Sequence, residues 1–203
     1  MAQITAIFSD VGGVLGTNGW DRPARQRATE KFKVDWLDFE DRHELVVNAF
    51  ETGHLSLDGY LDRTIFYRPR DFSKQQFTDY ILSQSKPFPE SLDLYGRLAK
   101  SGKYLMATLN NESLEINLRR IEQFGLRKCF SVFFSSCFLG MKKPHDDIYN
   151  LALKLTQRKP EECLFIDDRL LNVERARECH MQAIHCQDAK QLESQMQEMG
   201  VGV

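Results

Sequence analysis

No stretch of the chain is apolar for long enough to span a bilayer, which takes about 20 residues. No block of lysine and arginine is present either: 27 basic and 29 acidic residues leave a net charge of −2. Affinity for phosphate backbones needs clustered basic side chains, so neither a nucleic acid nor a membrane surface is an expected partner. The five cysteines, Cys129, Cys137, Cys163, Cys179 and Cys186, form no Cys-x-x-Cys pair. Their odd number and their places in apolar runs argue against a zinc site or a disulfide frame. They read as reduced core thiols of a cytoplasmic protein. The N-terminus lacks a basic region, and its first apolar run is broken by Asp10, so no signal peptide is expected. Internal repeats and low-complexity tracts are also missing. What remains is ordinary. The 203 residues, 42% hydrophobic and 28% charged, suffice for one packed domain or one domain with a sizeable insertion.

The most informative stretch is Ile4 to Leu15. Ala6, Ile7 and Phe8 read as a strand buried on both faces, as in a parallel sheet. An Asp at the carboxyl end of such a strand, Asp10, points into the crevice where open α/β sheets bind ligands. Gly12 and Gly13 permit a tight turn and a close approach to the backbone. These residues taken alone equally suit a capping Asp followed by loop glycines.

After Leu15 the periodicity turns helical. Pro23 suits the first turn of a helix. Ala28 with Phe32, then Trp36, Phe39, His43 and Val46–Val47, then Leu57, Tyr60, Leu61 and Ile65, then Phe72, Phe77, Tyr80 and Ile81 make four apolar stripes. They read as the core of a small helical insertion. From Pro87 strands and helices alternate. Strands are expected at 104–109, 130–134, 163–166 and 183–185, with helices from Pro89, over 114–124, 146–155 and 173–179, and from Leu192. Such alternation implies an α/β fold, a Rossmann-like three-layer core with a mostly parallel sheet and right-handed crossovers.

Four strands end in polar groups: Asp10, Asn110-Asn111, Ser135-Ser136 leading to Lys143, and Asp167-Asp168. In a parallel sheet these ends share one edge. Carboxylates crowded there raise one another's pKa unless a cation lies among them. A hard divalent ion with oxygen ligands, Mg²⁺, answers that need. Lys143 and the Asn110 amide suit phosphate oxygens. A carboxylate nucleophile, a Lewis acid and a lysine are the parts of phosphoryl transfer through an aspartyl-phosphate.

In this order the motifs resemble a family. Ile7-Phe8-Ser9-Asp10-Val11-Gly12-Gly13-Val14-Leu15, Leu109-Asn110-Asn111, Gly140-Met141-Lys142-Lys143-Pro144 and Phe165-Ile166-Asp167-Asp168 with Asn172 and Ala176 look like motifs I to IV of the haloacid dehalogenase-like (HAD) hydrolases. The likeness is strongest to the C1-capped subgroup that holds small sugar-phosphate phosphatases and the N-terminal domain of soluble epoxide hydrolase. It implies a HAD-like core over 1–16 and 87–203 and a helical C1-type cap over 17–86. It implies Asp10 as nucleophile and metal ligand, and the Gly12 carbonyl and Asp168 as ligands of Mg²⁺. Asp167 and Asn172 would support them directly or through water. Asn110 and Asn111 would bind phosphate, and Lys143 would hold phosphate and offset the charge on Asp10. Trp20, Asp21 and Arg22 lie where the cap hinges over the site and are its substrate candidates.

Two departures stand out. Most phosphatases of the family carry a second Asp two residues after the nucleophile, which serves as acid and base; here it is Gly12. Asp21, or more remotely His54, is the candidate substitute. Asn110 replaces the usual Ser or Thr, and Thr108, inside the strand, is the only nearby hydroxyl before the Asn pair. The expected function is a Mg²⁺-dependent phosphomonoesterase on a small phosphorylated metabolite. A 2-haloacid dehalogenase and a degenerate member that binds ligand or partner without turnover are the alternatives. Monomer and homodimer are both left open.

Overall fold

The computed structural model describes residues 2–202. Strand β1 (Ala6–Ser9) is followed by four helices, α1 (Arg22–Lys31), α2 (Trp36–Glu51), α3 (Leu57–Thr64) and α4 (Lys74–Ser83). Alternation then begins with α5 (Pro89–Ser101), β2 (Leu105–Asn110), α6 (Leu114–Gln123) and β3 (Val132–Ser135). It continues with a short α7 (Ser136–Leu139), α8 (Asp146–Thr156), β4 (Cys163–Asp167), α9 (Leu170–Glu178), β5 (Gln182–His185) and α10 (Ala189–Glu198). The fold is the α/β, Rossmann-like architecture that the alternation implied.

All pairings are parallel and the strand order is β3-β2-β1-β4-β5. Ser9 is level with Thr108 and Ile166, Asn110 with Ser135, and Asp167 with His185. The carboxyl ends therefore share one edge. The strand order reverses at β1, so a crevice opens beyond it, where Asp10 stands.

The sheet is covered on both faces, which is why its strands are apolar throughout. On one side Ile7, Leu164 and Ile166 pack with Leu94, Tyr95, Ile121, Leu192 and Met196. On the other Ala6, Phe8 and Phe165 pack with Ile148, Tyr149 and Ala176. The four inserted helices hold a third cluster of their own around Trp20, Phe39, Phe50, Tyr60, Leu61 and Phe77, to which Ile116 of α6 is joined. Each inserted helix starts on a side-chain cap: Asp21 accepts from the Ala24 N–H, Asp35 from Asp38, Ser56 from Gly59 and Ser73 from Gln76. Such caps satisfy amide donors that the first turn leaves unpaired.

The differences from the sequence reading lie at element ends. Helices α9 and α10 begin at Leu170 and Ala189, before their apolar stripes, because a first turn need not contribute to the buried face. Phe72 precedes α4 and packs from the loop against Phe32, Phe66 and Phe77. The Ser135-Ser136 turn opens the short helix α7. All five cysteines are free thiols, with Cys163 and Cys186 buried. Among the described residues no helix is long and apolar enough to cross a membrane.

One side chain ties the insertion to the sheet. Arg120, on the buried face of α6, is 2% exposed. It donates to the Ser85 hydroxyl at 3.0 Å and to the Thr17 carbonyl at 2.8 Å, and it pairs with Glu112 at 3.0 Å. Ser85 and Thr17 belong to the two chain crossings between core and insertion. Gly19, at φ +74°, lies against the same guanidinium, where a Cβ would collide with it. Breaking a buried pair leaves an uncompensated charge and costs about 3–5 kcal/mol. Arg120→Met is therefore expected to lower stability to urea by about that amount, and adding Glu112→Leu to recover much of the loss.

Candidate active site

Asp10 stands one residue past β1, and its N–H donates to the Ile166 carbonyl at 2.8 Å. That bond fixes it beside the end of β4, where Asp167 and Asp168 stand. One carboxylate oxygen from each of Asp10, Asp167 and Asp168 lies within 4.8 Å of the others. Lys143 is their counter-charge. Its Nζ is 3.3 Å from Asp10 Oδ2 and donates at closer range to Asp167 Oδ2. All four come from separate segments that the sheet edge brings together.

The three carboxylates are not equivalent. Asp167 is fully buried and its acceptors are committed: Oδ1 takes the Arg169 N–H at 2.8 Å, Asn172 Nδ2 lies 3.1 Å from both oxygens, and Lys143 takes Oδ2. Asp10 Oδ1 accepts from the Val11 N–H at 2.8 Å. Asp168 Oδ2 accepts from Asn18 Nδ2 at 2.9 Å, whereas its Oδ1 is buried with no hydrogen-bond partner. A buried carboxylate oxygen without a donor is costly. It is the acceptor that a cation would take.

The electrostatics point the same way. Burial pushes the Asp10 carboxyl up to about 7; Lys143 pulls it down, while Asp167 and Asp168 push it further up. Burial alone would lower Lys143, but Asp10 and Asp167 hold it above its ordinary value. One lysine cannot balance three carboxylates. An oxygen-preferring divalent cation fits this donor set, with Asp168 Oδ1 and Asp10 as the groups that would hold it and Asp167 supporting through Lys143 and Asn172. Gly13 makes the arrangement possible. It has φ +71°, and a Cβ there would collide with the Asp168 carboxylate.

The two asparagines are placed differently. Asn110 is 1% exposed; its Nδ2 donates to Asn117 Oδ1 at 3.0 Å and its Oδ1 accepts from the Ser135 hydroxyl at 2.9 Å. Its amide is spent inside the β2–β3–α6 interface, away from the cavity, because a buried amide must satisfy both ends. Asn111 does line the cavity. Its Nδ2 and Oδ1 clamp the carbonyl and N–H of Lys143 at 2.8 and 2.9 Å, so it places the lysine, and one Nδ2 hydrogen stays uncommitted. Thr108 is fully buried in β2.

The crevice beyond Asp10 is a cavity of about 460 Å³, walled by the sheet edge below and by α1 and α2 above. Trp20, Asp21 and Arg22 all line it. Trp20 is buried in the insertion's core, with its Nε1 donating to Tyr60. Asp21 is the cap of α1. Arg22 is open to solvent, 3.7 Å from Glu40 and over the Trp36 ring. His54 is exposed and bonds Thr52, and it is not part of the wall. Six basic side chains and four carboxylates line the cavity, a cationic balance in a chain of net charge −2.

Several wall residues escape a linear reading: Asn18, Arg25, His43, Glu112, Arg120 and Lys142. Arg120 left a trace, being a charge at the Ile116, Asn117, Ile121 face of its helix. Gly12 also lines the cavity. A Cβ on it would stand 2.6 Å from Asn18 Oδ1 and 3.4 Å from an Arg120 nitrogen. The room that a side chain at position 12 would need is thus already filled from two other segments.

The sequence pattern of haloacid dehalogenase-like hydrolases matches residues 4–180. Among curated proteins the chain is 26% identical to flavin mononucleotide hydrolase 1 of Arabidopsis thaliana over 81% of its length, and 30% identical to bifunctional epoxide hydrolase 2 of Sus scrofa over 59%. It spans 66% and 22% of those two relatives' own lengths. Among solved structures, a HAD-family enzyme of Bacteroides thetaiotaomicron in complex with magnesium and inorganic phosphate superposes with a TM-score of 0.73. It is 22% identical over 89% of this chain and 93% of that one.

The charge crowding predicts a behaviour of the protein in EDTA. A carboxyl whose folded pKa is raised from 3.8 to about 7 contributes stability at low pH that is lost as pH rises through that value. In EDTA, Asp10→Asn should therefore gain on the wild type as pH rises from about 5 to about 8, by several degrees in Tm. Millimolar Mg²⁺ should raise the wild-type Tm and leave Asp168→Asn nearly unmoved.

Proposed function

The chain belongs to the haloacid dehalogenase-like hydrolases, and from that premise we propose that it is a Mg²⁺-dependent phosphomonoesterase acting on a small phosphorylated metabolite such as a sugar phosphate. The observation that carries this reading is the buried, unpartnered Asp168 Oδ1, on a carboxylate clustered with those of Asp10 and Asp167 at one sheet edge. The cationic balance of the cavity wall supports an anionic substrate. The inserted helices act as its cap, over residues 17–86.

Asp10 is the nucleophile. Its carboxylate attacks phosphorus, the bond from phosphorus to the leaving oxygen breaks, and that oxygen keeps the electron pair and takes a proton from water. Water then attacks the aspartyl-phosphate at phosphorus, which frees the Asp10 carboxylate and releases phosphate. Lys143, 3.3 Å from Asp10 Oδ2, holds the nucleophile ionised and faces the phosphoryl oxygens. Asp10, the Gly12 carbonyl and Asp168 would hold Mg²⁺, which would supply positive charge that keeps Asp10 ionised and offsets charge on the phosphoryl group. Asn111 and Asn172 keep Lys143 and Asp167 in place.

Gly12 brings no acid to the leaving oxygen, and general acid catalysis contributes ~10²–10⁴-fold. The penalty falls on poor leaving groups. Aryl phosphates are expected to turn over about 10²–10⁴ times faster than alkyl phosphates of similar size, read as kcat across a leaving-group series. The function itself is tested on a panel of sugar phosphates and flavin mononucleotide, with Mg²⁺ and with EDTA. Phosphate release that EDTA stops and Asp10→Asn abolishes is the expected result. Halide release from 2-haloacids that EDTA does not affect would replace it with dehalogenation. Mg²⁺-dependent ligand binding without turnover would replace it with a binding role, which the bare Gly12 favours.

A further inference from the structure

His43 lies on the Trp36, Phe39, His43 stripe of α2, a position that reads as helix-bundle core. It is 6% exposed, yet it lines the cavity. Its ring stacks on Phe39 at 6.1 Å and 19°, and meets Tyr60 edge-on at 5.8 Å and 88°. Its Nδ1 is 2.8 Å from the Tyr60 hydroxyl, and Trp20 Nε1 is 3.1 Å from the same oxygen.

The protons in this chain can be assigned. An indole N–H only donates, so the Tyr60 oxygen accepts from Trp20. The Tyr60 O–H is buried, with the Thr64 hydroxyl near it, and the acceptor at hydrogen-bond distance among the described residues is His43 Nδ1 at 2.8 Å. The hydroxyl therefore donates to that nitrogen. His43 Nδ1 is therefore an acceptor and the ring proton sits on Nε2. A second proton on the ring would leave the Tyr60 hydroxyl without an acceptor. Burial, reinforced by Arg25 and Lys142 against the opposing pull of Glu40, keeps the imidazole neutral, with its pKa lowered to about 4. Nε2 has no protein partner among the described residues, and it is not one of the atoms closed off from space.

The charges around it are already committed. Arg25 is held by Glu40 at 3.1 and 3.2 Å and by the Trp20 carbonyl at 3.0 Å, and Lys142 by Glu51 at 2.8 Å. Beside His43 the wall thus offers a neutral N–H between two paired cations, while Arg22 of the same wall stays open to solvent. Such a donor can serve a hydroxyl oxygen without adding charge to the wall.

Resting on the phosphomonoesterase reading, we propose that His43 is the specificity-determining residue of this site: its Nε2–H, fixed by the Trp20–Tyr60 relay, donates to a hydroxyl oxygen of the leaving group and so selects phosphomonoesters of polyols.

The test compares polyol phosphates, from glycerol 3-phosphate to hexitol 6-phosphate, with n-alkyl phosphates of equal carbon number, all with Mg²⁺. Two readouts are taken: the ratio of kcat/KM values, and the ratio of calorimetric affinities in the Asp10→Asn background, which needs no turnover. The wild-type site is expected to prefer the polyol by at least about tenfold, the worth of one hydrogen bond. His43→Phe keeps the ring and its stack and should cut the ratio about tenfold. His43→Gln, whose amide nitrogen can reach the Nε2 position, should retain most of it. Tyr60→Phe, which touches no substrate, should lower it by releasing the tautomer. A preference that persists in binding without any phosphate release upholds His43 and sinks the phosphomonoesterase reading. Equal or absent binding of both series, or a preference unchanged in His43→Phe, overturns the proposal.

Discussion

The ion pairing of Lys143 with Asp10 and Asp167 is the constraint on which the rest of the site depends. Three carboxylates meet at the end of β1 and β4, and a single buried ammonium stands among them. The surrounding residues follow from holding that arrangement. Asn111 clamps the Lys143 backbone from both sides. Asn172 and the Arg169 N–H close the remaining acceptors of Asp167. Gly13 leaves the room into which the Asp168 carboxylate fits, and Asn18 covers one of its oxygens. The oxygen left over, Asp168 Oδ1, is the acceptor that a divalent cation would take.

Much of this was legible in the linear sequence. The residues that end strands in a parallel sheet share an edge by topology alone, so Asp10, Lys143, Asp167 and Asp168 converge without any knowledge of side-chain packing. The alternation of apolar strands with helical stripes likewise pointed to the fold class, and the four further helical stripes stood out as a run before the second strand. What was hidden depends on side-chain direction. Asn110 ends its strand as expected, but its amide turns into the interface with Asn117 and Ser135. Nothing in the dipeptide Asn110-Asn111 distinguishes the one that faces inward. Asn18 and Arg120 meet at Gly12 from two other segments, an encounter that no local pattern encodes.

The insertion and the core are joined where the chemistry is proposed to occur. Arg120 holds the crossings at Thr17 and Ser85, and the Glu51 carbonyl accepts from the Ser136 hydroxyl at 2.6 Å. The same helices that cover the crevice thus bond directly to its floor. Trp20 shows how an aromatic residue expected at the cavity also belongs to the insertion's core: it donates to the Tyr60 hydroxyl, which lies 2.8 Å from His43 Nδ1. At Gly12 the space that a side chain would need is occupied by Asn18 and Arg120.

The central claim is that this carboxylate cluster makes Asp10 a nucleophile toward phosphorus. Rapid acid quench during the first turnover of an aryl phosphate with Mg²⁺, followed by the mass of the peptide that contains Asp10, tests it most directly. The account predicts a fraction of that peptide heavier by one phosphoryl group, absent in EDTA and absent in Asp10→Asn. Phosphate release that proceeds with the Asp10 peptide unmodified at every quench time, and that survives Asp10→Asn, would contradict it.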